Sequence, residues 1–150
     1  QFDADDIAAF FAMLPDKIDG VAARHAVEAR HESFACAGFV ALARKHGVAI
    51  VVADHEDHPQ IADLTADFVY ARLMKSQEDV ESGYASGDLA TWASITRSWA
   101  EGGAPEYLNF VSGDHSPAQT RDVFAYFISG AKVRNPAAAM ALAERLTERD

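Results

Sequence analysis

The stretch GVAIVVAD, residues 47–54, decides the fold class, because it is a continuous apolar run closed by an acid. A short run without alternation is typical of a strand that is covered on both faces, as in a parallel sheet. Gly47 suits the left-handed position that ends a helix, so we expect a helix just before this strand. The stretch therefore predicts one helix-to-strand step of an α/β protein.

The same order of elements recurs along the chain, because period-two patterns and apolar runs alternate with helical periodicity. Strands that alternate with helices form parallel sheets with right-handed crossovers, so we expect adjacent strands in chain order with helices outside. The predicted strands are 24–30, 48–53, 67–73 and 122–128. The predicted helices are 3–14, 34–46, one within 86–103 with Asp88 as N-cap, and 135–149 with Asn135 as N-cap. DKIDG, residues 16–20, is predicted as a turn.

Composition limits the class of partner. The net charge of −10 argues against nucleic acid or an anionic membrane surface as the main partner. No apolar run approaches the roughly 20 residues that span a bilayer. Cys36 is the single cysteine, which excludes an internal disulfide and fits a reducing compartment such as the cytoplasm. We therefore expect a cytoplasmic protein that binds a small molecule.

Polar side chains follow each predicted strand at its carboxyl end, where parallel βα architectures bind their ligands. Arginine and lysine at these positions suit a carboxylate or phosphate. A carboxylate there can act as a general base if its surroundings set its pKa suitably. The predicted catalytic residues are Glu28 and Asp54. The predicted substrate-binding residues are Arg30, His31, Arg72, Tyr126 and Lys132.

Structural explanations of these residues, and of other motifs in the chain, remain alternatives to a functional site. Glu28 can instead neutralise the arginines in a structural ion-pair network, since buried charges must be paired. HEDH, residues 55–58, has metal-ligating side chains, but a solvated loop explains it better and no metal is assigned. Ser112, Asp114 and His115 have the residue types of a catalytic triad, although three groups in one loop rarely reach triad geometry. The residues identify no cofactor.

Four segments stand out together in their order and spacing: HAVEARHESF (25–34), GVAIVVAD (47–54), TADFVYARLM (65–74) and RDVFAYFISGAKVRNPAAAMALAERL (121–146). They cover nearly the whole chain and include an E-x-R-H turn and a Y-F-x-x-x-x-K segment. In these features the chain resembles the YecE-like family, the domain of unknown function number 72. The resemblance implies a TIM-barrel-like fold and a bacterial or archaeal, cytoplasmic protein. It implies no established activity.

Together these observations give an α/β chain of parallel βα units, TIM-barrel-like, with about half of a (β/α)8 barrel. Residues 1–150 are expected to be the carboxyl-terminal part of a single TIM-barrel-like domain. In isolation they are expected to self-associate over the open inner face. Two functions stay open: a hydrolase or lyase acting on a small anionic, phosphate-bearing or sugar-like substrate, and a non-catalytic module that binds a ligand or partner.

Overall fold

The structure of the protein is a computed structural model that describes residues 1–105, 107–113 and 117–148, and within these ranges it contains four α-helices and seven short strands. The helices in these ranges are α1 (Ala4–Ala12), α2 (Ala37–His46), α3 (Ser86–Ala100) and α4 (Asn135–Thr147), with a 3-10 turn at Glu32–Phe34. The strands are β1 (Lys17–Ile18), β2 (Val21–Ala22), β3 (Ala26–Val27), β4 (Ala49–Ile50), β5 (Val52–Asp54), β6 (Phe68–Leu73) and β7 (Asp122–Phe127).

The predicted parallel pairing of the main strands is confirmed. β3 pairs with β4, β5 with β6, and β6 with β7, all in parallel. The apolar run predicted as one strand is divided at Val51, and the predicted strand at 24–30 is shorter than expected. Residues 48–53 are buried throughout, which explains why the run is apolar at consecutive positions.

An antiparallel hairpin of β1 and β2 stands where the sequence predicted only a turn. Its two central residues, Asp19 and Gly20, have φ angles of 50° and 81°. Two positive φ values are the mark of the tight turn whose twist suits a two-residue hairpin, and Asp-Gly is a favoured pair for it. The flanking strand residues are exposed, so no apolar pattern revealed the strands.

Two helix beginnings differ from the predictions. Ala85, not Asp88, is the N-cap of α3, and Asp88 lies in the first turn. Asn135 is the first residue of α4 rather than its N-cap. The Asn135 side-chain oxygen accepts hydrogen bonds from the hydroxyls of Ser76 and Ser129, at 2.8 and 2.9 Å, so tertiary contacts take the place of capping.

The beginning of α1 and the end of α2 have the capping residues that are typical of helices. The Asp3 carboxylate accepts hydrogen bonds from two backbone N–H groups at the start of α1. Gly47 ends α2 with a φ of 63°, as predicted. The apolar stripe of α1 is only partly buried, because Phe11 is 3% exposed and Phe10 47%.

The core has two parts, each built around a different pair of helices. The first joins α1 and α2 around Phe11, Phe39 and Ile50. The second lies between the sheet and the pair α3 and α4, and includes both tryptophans, Trp92 and Trp99. The face of β6 and β7 turned away from these helices carries the polar side chains described next.

Candidate functional site

Alternation along β6 determines which side chains face away from the helices. Val69, Ala71 and Leu73 are packed in the core with α3 and α4. Successive strand residues point to opposite faces, so the other three residues of β6 share the opposite side. We call this side the open face; its residues are Phe68, Tyr70 and Arg72 of β6 and Phe124 and Tyr126 of β7, which pair in register.

A carboxylate joins two guanidinium groups at one end of the open face. The Glu28 Oε1 atom accepts a hydrogen bond from Arg30 Nε at 2.7 Å, and its Oε2 atom accepts one from Arg72 Nη1. The side chains of Glu28 and Arg72 are 15% and 16% exposed, whereas that of Arg30 is 64% exposed. These three residues form the Glu28 cluster.

The charge state of the Glu28 cluster follows from these contacts. Burial raises the pKa of the Glu28 carboxyl, but the hydrogen bonds and charges of Arg72 and Arg30 outweigh it and hold the pKa below its ordinary value. Glu28 is therefore ionised at neutral pH. Two positive charges then share one negative charge, and the cluster is locally cationic in a protein of net charge −10.

Aromatic rings cover the rest of the open face. Tyr70 and Tyr126 stack with ring centroids 4.9 Å apart, and Phe68 meets Phe124 edge-on at 6.0 Å. The Arg24 guanidinium lies over both phenylalanine rings, 4.9 and 5.2 Å from their centroids. A cavity of about 350 Å³ lies among these side chains. Arginine over aromatic faces is a favourable arrangement that also presents cationic edges to a ligand.

Asp54 belongs to a different group. It pairs in register with Leu73, whose side chain faces the helices, and its carboxylate contacts Lys75 Nζ at 2.8 Å. The Tyr84 hydroxyl accepts the backbone N–H of Lys75 at 2.7 Å. Burial raises the pKa of Tyr84 well above its ordinary value, and the Asp54 charge adds to the rise. The structure therefore does not bring Asp54 into the Glu28 cluster.

Two predicted binding residues have other surroundings. The Nδ1 atom of His31 accepts the backbone N–H of Ser33 at 3.1 Å, which helps to begin the 3-10 turn. Lys132 is exposed between β7 and α4 and forms no ion pair with any described residue. Tyr126 does lie on the open face, in register with Arg72.

The remaining motifs have local explanations. The rings of His55 and His58 stack at 4.3 Å, and the Asp57 backbone N–H donates to His55 Nδ1 at 3.0 Å. Within the described ranges, no group of three or more histidine, cysteine or acidic side chains is placed to hold a metal ion. Of the candidate triad, Ser112 donates to the Asp63 carboxylate. Asp114 and His115 lie outside the described residues.

The sequence did not single out Tyr84, Arg24 or the ring pairs as site residues. The alternation of Phe68, Tyr70 and Arg72 on one strand, and of Arg24 and Glu28 on another, was the available signal. The alternation did not show how close the two segments lie to each other in the folded sheet. Nothing local marked Tyr84, because its contact with Lys75 is made by a backbone group.

These features define an α/β protein of parallel strands with a cationic and aromatic face at the strand ends. Among the described residues, no helix is both long and apolar enough to cross a membrane. The chain belongs to the family described as protein of unknown function DUF72, whose model matches residues 1–150. This confirms the resemblance found in the sequence. No curated protein and no solved structure matches the chain.

Proposed function

We propose that the protein binds a small anion, a carboxylate or phosphate group, at the Glu28 cluster. One observation carries the proposal: Glu28 is the sole hydrogen-bonding partner of both Arg30 and Arg72 within the described part of the chain. Each guanidinium has five N–H donors, so most of these donors stay available. Their planar forks match the oxygens of a carboxylate or phosphate.

The geometry also suits the rest of such a ligand. Glu28 fixes the orientation of both guanidinium groups, which lowers the entropy that binding would otherwise cost. Tyr126, in register with Arg72, presents an exposed ring and hydroxyl beside the cluster. A small anion with a flat or ring-shaped body fits this combination better than a polyanionic chain. The net charge of −10 speaks against nucleic acid and membrane surfaces as partners.

We favour a protein that binds the anion without turnover over an enzyme in which Glu28 is the catalytic base. A general base works best with a pKa near the operating pH, and the arginines hold the pKa of Glu28 low. A hydrolase or lyase is the second candidate. It is supported by Asp54, a carboxylate that is 7% exposed and directly follows Ala53, the register partner of Arg72. This candidate requires a substrate that reaches past the strand end to the Asp54 side.

We also propose that the strands belong to a TIM-barrel-like fold. In a flat sheet, three inter-strand spacings of about 4.8 Å would separate β3 from β7. Arg24, just before β3, nevertheless contacts Asp122 of β7 at 2.7 Å. A sheet that curves toward the open face, as a barrel wall does, explains this contact. The single free Cys36 and the family resemblance support a bacterial, cytoplasmic setting.

Calorimetric titration with inorganic phosphate, sulfate and citrate tests the anion proposal. We expect saturable binding to the wild-type protein and at least about tenfold weaker binding to Arg30→Gln, since a charge-assisted hydrogen bond contributes about 1.5–3 kcal/mol. Lys45→Gln is the matched control: it removes one exposed positive charge from the end of α2, away from the cluster. Equal weakening in both variants, or no binding to the wild type, would refute the proposal.

Any anion that binds then guides the choice of substrates for turnover assays. Esters, amides and glycosides of the best anion are incubated with the wild-type protein and with Asp54→Asn. Product formation that Asp54→Asn abolishes supports the hydrolase or lyase candidate. Binding with no product formation supports the binding module.

A further inference from the structure

A second cavity, of about 300 Å³, lies on the helix side of the strand ends. It is distinct from the Glu28 cluster, because β6 turns Arg72 to the open face and Leu73 to the helices. We call it the α3 pocket; among its lining residues are Asp54, Gln60, Lys75, Gln77, Asp88 and Trp92. Its volume is at the lower end for small-molecule sites, which suits a ligand of one ring.

The floor of the α3 pocket is aromatic and apolar. Trp92 and Ile95 of α3 are 8% and 3% exposed, and Leu108 borders them. Tyr84 adds a second buried ring next to the Asp54 carboxylate. Such a floor favours a ligand with at least one apolar face, because hydrophobic burial drives the contact.

The rim of the α3 pocket offers both donors and acceptors. The Gln60 carbonyl oxygen accepts the backbone N–H of Asn109 at 3.2 Å, so the NH₂ group of Gln60 is left to donate. The exposed Asp88 carboxylate and the Gln77 amide have no side-chain hydrogen bond to any described residue. Lys75 and Asp54 neutralise each other at 2.8 Å. The pocket therefore combines hydrogen-bonding groups of both kinds without an unpaired buried charge.

From this combination we propose that the α3 pocket binds a neutral polyhydroxylated ligand, one sugar or cyclitol ring. Hydroxyl groups both donate and accept, so they can satisfy Gln60, Gln77 and Asp88 together. The C–H face of such a ring packs on the Trp92 indole. An anion would meet two carboxylates, and a cation would find only the exposed Asp88 carboxylate, because the buried Asp54 is already paired with Lys75. The site is additional to the anion site and does not depend on it.

Tryptophan fluorescence provides a direct test, because the chain has two tryptophans and only Trp92 lines this pocket. Trp99 is fully buried. We expect a saturable change in emission on titration with glucose, galactose or myo-inositol, with a dissociation constant of about 1 mM. Calorimetry on the same wild-type protein supplies an independent affinity. Inorganic phosphate and tetramethylammonium serve as anionic and cationic probes of similar or smaller size.

Two variants assign the binding to the α3 pocket. Asp88→Asn and Gln77→Ala are each expected to weaken binding of the best ring about tenfold, whereas Glu101→Gln at the end of α3 should leave it unchanged. Arg30→Gln should also leave it unchanged, which separates this result from the anion test. The proposal is overturned if a folded protein shows no saturation up to about 100 mM. It is equally overturned if a charged probe binds more tightly, or if Asp88→Asn behaves like Glu101→Gln.

Discussion

Replacing Glu28 by glutamine probes the Glu28 cluster directly, since the side-chain shape is kept and the negative charge is removed. Glu28 and Arg72 are 15% and 16% exposed. Removing one partner of a fully buried ion pair costs about 3–5 kcal/mol, so we expect about 2–3 kcal/mol for this partly exposed pair. The Arg30 side chain is 64% exposed, so losing its ion pair with Glu28 adds at most about 1 kcal/mol to this cost. E28Q should therefore lower the free energy of unfolding by about 3 kcal/mol at neutral pH.

The pH dependence of this effect has a definite sign. Burial raises the pKa of Glu28, but the arginine hydrogen bonds bring it below the ordinary value of 4.5 in the folded protein. A carboxyl with a depressed folded pKa contributes stability that is complete above the unfolded pKa. The contribution is lost as the pH falls through the folded pKa. The difference between wild type and E28Q should thus be constant down to about pH 5 and shrink below it.

Urea unfolding followed by circular dichroism, repeated between neutral and acidic pH, measures this difference. Glu32→Gln is the matched control, because Glu32 is an exposed acid in the adjoining 3-10 turn. We expect that variant to stay within about 0.5 kcal/mol of the wild type. If E28Q also stays within about 0.5 kcal/mol at neutral pH, the cluster contributes no stability and the reasoning fails. A difference that is unchanged on acidification would refute the ion-pair explanation.

Two further predictions concern the backbone and the open edge. Gly102 has a φ of 93°, and a Cβ there would lie 2.7 Å from the backbone of Gln119, so Gly102→Ala should cost more than about 2 kcal/mol in urea unfolding. Gly87→Ala in α3 is the control, with no atom within 4 Å of the added Cβ, and it should be neutral or stabilising. β7 pairs only with β6 in the described part of the chain, and Tyr126 in β7 and Ile128 just after it are 44% and 42% exposed. We expect concentration-dependent self-association in size-exclusion chromatography with light scattering, and a monomer at every concentration would contradict this.

The strand pairing could be predicted from the sequence because its signal is local. The apolar run at 48–53 is buried at each position, and its parallel neighbours follow from the alternation of strands and helices. The caps of α3 and α4 could not be predicted as well. Asn135 has the residue type of an N-cap, but its side chain accepts hydrogen bonds from Ser76 and Ser129, and Ser76 is 59 residues away along the chain. Only the folded chain brings that partner near.

The residues of the candidate site also differ in whether the local sequence reveals their position. Glu28 lies within the predicted strand 24–30 and Arg72 on β6, and both segments show alternation, so the faces of the two residues could be inferred although 44 residues separate them. Asp54 ends a run that is apolar on both faces, and such a run contains no alternation from which its face could be inferred. The sequence therefore grouped Asp54 with Glu28 by strand end alone. Because Asp54 pairs in register with Leu73, its side chain lies on the helix side of the sheet.

This division has a chemical consequence for any reaction the protein performs. A mechanism with two carboxylates at one substrate needs Glu28 and Asp54 on the same side of the sheet, but they contact Arg72 and Lys75 on opposite sides. Arg72 and Arg30 hold the pKa of Glu28 below its ordinary value, so Glu28 is suited to orient these guanidinium groups rather than to exchange protons, and Asp54 contacts a separate cation, Lys75. The proposed anion site and the proposed ligand site in the α3 pocket therefore lie on the two faces of one sheet. A ligand that engages both must pass around the carboxyl ends of β5 and β6.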